Sequence, residues 1–124
     1  MEMGEYENMV IGEKQPVLEA KEVVVITYIK RDVENKDKKH EKLVLVTNHP
    51  EGKQLEIGKV KYLQENQVCE SGLWLHLDRD GKLPYKGAVS CMLRYYNVKT
   101  IKELIGKKIN TVVDDKGYLI VKAY

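Results

Sequence analysis

Along most of the chain, apolar and polar positions alternate with the two-residue period of a half-buried strand; helical spacing is confined to one region. Residues 22–29 are β-branched and aromatic, with both faces apolar through Ile26. That pattern predicts a central strand. Residues 30–42 are polar and charged and read as a flexible hairpin tip, and residues 43–47 form a second strand. In the turn at residues 48–52, Pro50 fixes φ and Gly52 supplies positive φ. Residues 54–63 predict a third strand, interrupted at Gly58 by a bulge or bend.

Residues 72–77 show the cleanest alternation. Leu73, Leu75 and Leu77 take one face, expected to be core, and Trp74 and His76 take the other. That second face is either open to a ligand or covered by a helix. A turn follows at Asp78-Arg79-Asp80-Gly81. Residues 86–96 then place Val89, Met92, Leu93 and Tyr96 at i, i+3, i+4 and i+7, one stripe of a helix. Thr100 and Glu103 form a capping box for a second short helix. Its expected buried stripe is Ile101, Leu104 and Ile105, and Gly106 is its stop. A hairpin over 109–113 and 118–124 closes the chain around Asp114-Asp115-Lys116-Gly117.

These elements predict a mostly β fold: a small, partly closed antiparallel barrel, OB-like, with two short helices before a C-terminal hairpin. An α+β sheet covered by the helices is the alternative. The length of 124 residues fits a single domain, taken as residues 16–124. Residues 1–15, with four glutamates and no periodicity, read as a mobile acidic arm.

Charge changes this picture more than composition does. The formal net charge is only +2. Residues 82–108, however, carry seven basic side chains and one acid, whereas residues 1–13 carry four acids and no base. The basic segment also contains Tyr85, Tyr95 and Tyr96. Cations that neutralise phosphates, interleaved with rings that stack on unpaired bases, are what single-strand binding requires. A solvated helical face with tyrosines packed on the sheet is the plainer reading of the same residues. The candidate nucleic-acid contacts are Trp74, Lys82, Tyr85, Lys86, Arg94, Tyr95, Lys99, Lys102, Lys107 and Lys108.

Other chemistry finds little footing. Cys69, His76 and Cys91 give at most three zinc ligands and no paired spacing, and His40 and His49 fall in predicted solvated loops. The Asp78-Arg79-Asp80-Gly81 turn lacks the further ligands of a calcium loop. No nucleophile elbow, Walker or dinucleotide glycine pattern occurs. The expectation is therefore a non-catalytic protein without metal or cofactor. Cys69 and Cys91 lie outside any C-x-x-C pair, and the acidic N-terminus lacks the basic start of a secretory signal. An intracellular, cytoplasmic protein with reduced thiols and no membrane contact is expected. The Lys- and Glu-rich composition matches both hyperthermophile proteins and an AT-rich genome.

The second half resembles small replication-associated proteins of phages and archaeal viruses. The resemblance is carried by the run Gly72 to Asp78, the helix at 86–96, residues 101–108, and the terminal hairpin ending Gly117 to Tyr124. It implies an OB-like barrel that binds single strands without sequence preference, in a host cytoplasm if the source is viral. A homodimer, formed through a sheet edge or the tyrosine-bearing helix, is the competing expectation.

Overall fold

A computed structural model describes residues 19–35, 38–52 and 54–124. The acidic arm expected over residues 1–15 lies outside the described residues, as does the centre of the first hairpin tip. Among the described residues there are seven strands: β1 (Val23–Asn35), β2 (Lys38–Asn48), β3 (Gln54–Ile57), β4 (Lys59–Gln64), β5 (Gln67–Gly72), β6 (Lys108–Val113) and β7 (Leu119–Ala123). One α-helix, α1 (Ala88–Tyr95), and a 3₁₀ turn (Lys102–Leu104) separate β5 from β6. Among the described residues, no helix is long and apolar enough to cross a membrane.

The fold is mostly β, as the alternation predicts. The strand order is β3-β2-β1-β6-β7-β4-β5. Two features of the expected barrel are corrected: the ladder is an open seven-stranded sheet, and β4 runs parallel to β7. The cause lies at Gly58, between β3 and β4. β3 stays paired with β2, while β4 departs to pair with β5 and β7. A Cβ at Gly58 would sit 3.0 Å from Lys42 Cε, so glycine permits this close approach. The two flanks of the sheet still meet. Leu43 N–H donates to Leu73 O at 2.8 Å, and Leu75 N–H donates to Glu41 O at 2.9 Å. Residues 73–75 thus continue the edge of β2 that β3 occupies further along.

Burial follows the alternation where a core exists. Val23 and Val25, Leu43 and Leu45, Ile57, Val60, Ile109 and Val121 join Val89, Met92 and Leu104 in one cluster. That cluster draws on strands from both flanks, so the sheet wraps a single core. Helix α1 covers it by packing on β4 and β7. β1 pairs with β6 only at Val23 and Val24; the register shift beyond Val25 then turns it away to run on with β2. The distal part of this β1–β2 hairpin, past Lys30 and Leu43, is a polar ribbon, where the sequence predicts a flexible tip.

Other expectations need correction. The strand expected over residues 72–77 is absent: Gly72 ends β5, only the single Trp74–Lys42 bridge follows, and Leu77 is 60% exposed rather than core. β5 takes its place, joined to β4 through Glu65 and Asn66, both at positive φ in the manner of a two-residue hairpin loop. The second helix is only a 3₁₀ turn: Leu104 is buried, but Ile105 is already extended and exposed. Thr100 Oγ1 accepts the Glu103 N–H at 3.3 Å, while Glu103 Oε2 accepts the Lys99 N–H, so the expected reciprocal box is displaced by one residue.

Candidate nucleic-acid interface

Helix α1 ends in a Schellman turn, which builds the first candidate site. Asn97 takes positive φ, its N–H donates to Arg94 O, and Val98 N–H donates to Leu93 O at 3.0 Å. This folds Val98 and Lys99 back over the helix. From the other side, the turn at Pro84 brings Tyr85 to the same helix face, with Gly87 N–H donating to Pro84 O. The result is a groove of about 490 Å³, lined by Lys82, Leu83, Tyr85, Ser90, Leu93, Arg94, Val98 and Lys99. Its floor is apolar, and the described lining residues include three cations and no carboxylate.

Arg94 is fixed within this groove. Its Nη1 donates to Tyr85 O at 2.7 Å, its Nη2 approaches Cys91 Sγ at 3.4 Å, and its guanidinium lies 3.9 Å from the centre of the Tyr85 ring. Tyr85 is 74% exposed. A planar cation stacked on an exposed ring offers charge for a phosphate and π-surface for a base.

A second aromatic surface lies on the outer face of β2. The Trp74 indole lies against Gly72, where a Cβ would meet Nε1 at 2.8 Å. His76 stacks on Trp74 with an interplanar angle of 16°, and His40 meets the indole edge-on. Lys42 Nζ sits 5.4 Å from the ring centre. Its pKa is lowered first by burial, then by repulsion from Lys59 and Arg31. Trp74 is therefore not packed beneath α1, and His40 is on a strand rather than in a solvated loop.

The remaining candidates separate from these two places. Lys86 pairs with Glu65 at 3.7 Å, and Lys108 with Glu22 at 3.9 Å, both on the surface. Lys107 Nζ donates to Tyr96 O at 3.0 Å, a structural contact between the residue before β6 and the end of α1. Lys102 is exposed on the 3₁₀ turn. Tyr95 stacks edge-on against Tyr96 and donates to Tyr124 O. Tyr96 itself is half-buried and tied to the sheet: its hydroxyl accepts the Asn110 N–H at 2.9 Å and donates to Lys122 O. Thus Lys82, Tyr85, Arg94 and Lys99 converge, Trp74 stands with the histidines, and the others are dispersed.

Sequence reasoning did not assemble these partners. His49 is buried rather than solvated: its Nδ1 accepts the Glu51 N–H, so Nε2 carries the proton donated to Glu19 O at 2.8 Å. His40 shares the period-two face of Lys42, Val44 and Val46, a signal that places it beside Trp74 only once β2 is known to extend to Lys38. Asp78 Oδ1 accepts the amides of Asp80 and Lys82, which commits that carboxylate to its turn. Cys69 and Cys91 are free thiols, Cys69 being the cross-strand partner of Tyr62; burial first, then both cysteines, push the Tyr62 phenol above its usual range.

Comparison with known protein families, with characterised proteins and with solved structures finds no match to this chain. The functional reading rests on the geometry above.

Proposed function

We propose that this protein binds single-stranded nucleic acid with little sequence preference, through the groove between Tyr85 and Lys99. The observation that carries the proposal is the Arg94 guanidinium stacked on exposed Tyr85, in a groove that also presents Lys82 and Lys99. Stacking contributes about 1–3 kcal/mol per base and tolerates any base, because every base has a π-face. Ser90 and the Tyr85 hydroxyl are the neutral polar groups of the described lining, which contains no amide side chain and no carboxylate, so little hydrogen-bonding information is available to read a sequence.

Fluorescence anisotropy with a labelled thymidine oligonucleotide at low salt tests this. Saturable binding is expected, with Tyr85→Ala and Arg94→Ala each weakening it by roughly 1–3 kcal/mol. Lys102→Ala, outside the groove, should change it little. Absence of binding, or equal affinity in all three variants, contradicts the proposal.

A second reading is favoured by a different surface. Leu63 and Val68 are cross-strand partners on β4 and β5 and are about half exposed, and β5 is an edge of the sheet. Edge strands template pairing with another chain. A homodimer assembled there would persist at high salt in light scattering and dissociate in Val68→Lys; a monomer at micromolar concentration counts against it.

A further inference from the structure

His40 and His76 are brought together from positions 36 residues apart, with Nδ1 of one facing Nε2 of the other at 3.2 Å. Both backbones are tied into the same ladder. His40 lies on β2 opposite Val33, and His76 follows Leu75, whose N–H is bonded to Glu41 O beside His40. The rings are tilted by 57° with centres 5.2 Å apart, and Trp74 braces both at just over 6 Å. A hydrogen bond between two neutral imidazoles uses one proton and, at a site open to water, contributes little. The same spacing has a second chemical meaning. Zinc–nitrogen bonds are about 2.0–2.1 Å, so two nitrogens on one tetrahedral ion lie about 3.3 Å apart.

We propose that His40 Nδ1 and His76 Nε2 form a bidentate site for a borderline divalent transition-metal ion of the zinc, nickel and copper group. Neutral imidazole suits these ions and not magnesium or calcium, which take oxygen ligands. Among the described residues no third histidine, cysteine or carboxylate joins the pair. The remaining coordination positions therefore open outward, to water. Among the described residues, Lys42 brings a cation to this platform, its ammonium drawn over the indole at 5.4 Å from the ring centre. Arg31, on the same face of β1, is held by Glu56 at 2.9 Å. The site is independent of the Tyr85–Arg94 groove, and it stands or falls separately from nucleic-acid binding.

Trp74 is the only tryptophan and touches both ligands, so its emission reports the site alone. The test titrates the full chain with nickel or copper ions, without nucleic acid, and follows that emission. Saturable 1:1 quenching is expected, reversed by a strong chelator such as EDTA and opposed by excess zinc, which competes without quenching. His40→Ala and His76→Ala should each weaken the apparent affinity by on the order of tenfold or more. Circular dichroism of the two variants confirms that the fold is kept, and His40→Gln serves as a second probe that preserves side-chain bulk. Quenching that rises without saturation, or that is unchanged in both alanine variants, overturns the proposal.

Discussion

Tyr96 shows how a residue that looks like part of a binding surface is committed to the fold. Its hydroxyl satisfies a backbone donor on β6 and a backbone acceptor on β7 at once. Its phenol is pushed up to about 12, chiefly by burial; the Asn110 N–H opposes the shift, and Tyr95 and Glu22 add to it. Between the ordinary tyrosine value near 10 and about 12, the unfolded chain loses this proton while the folded chain keeps it. The unfolded state then binds fewer protons, so stability is fully present below that window and falls as pH rises through it. Tyr96→Phe should lower stability by about 1–3 kcal/mol at neutral pH, because two backbone groups lose their partner. It should also make the alkaline decline shallower. Urea melts of both proteins at neutral pH and across the alkaline window check both outcomes. An unchanged alkaline slope would show that another group, such as Tyr62, carries it.

Elements were legible in the sequence to the extent that they face a core. The stripe Val89, Met92 and Leu93 fixes α1 within a residue or two of its observed limits, since all three are buried. The bend at Gly58 and the terminal hairpin were legible for the same reason: alternation stops and resumes around a glycine. β5 was not, because Gln67-Val68-Cys69-Glu70 has almost no apolar face and its turn, Glu65-Asn66, lacks the usual glycine. The β1–β2 ribbon is polar because no core lies behind it, and it was read as loop. The second helix failed on length: Gly106 at positive φ stops the chain before a second hydrogen-bonded turn can form. Met92, fully buried at the centre of α1, is the side chain on which the helix docks. Met92→Ala should cost about 2–5 kcal/mol and lower the urea midpoint without changing the slope. A loss below about 1 kcal/mol would mean that α1 is not held by this face.

For the whole molecule, the sequence showed an excess of positive charge but not its arrangement. Seven basic residues in one segment read as one patch. The fold divides them: Lys82, Arg94 and Lys99 gather around Tyr85, Lys86 and Lys108 face glutamates, Lys102 stands apart on the 3₁₀ turn, and Lys107 turns inward. Trp74 was legible as facing away from the leucine row together with His76, yet its other neighbour, His40, comes from the ribbon, 36 residues before His76 and beyond the reach of local patterning. The central claim is that the groove, rather than the total charge, engages a single strand. The most direct measurement is the salt dependence of oligonucleotide affinity for the native protein and for a variant combining Lys82→Ala, Arg94→Ala and Lys99→Ala. Each phosphate neutralised contributes about 0.7 to the log–log slope on a single strand, so removal of three should reduce it by about 2. Weaker binding with that shallower slope is the predicted result; a slope equal to that of the native protein, or no binding by either protein at low salt, would contradict it.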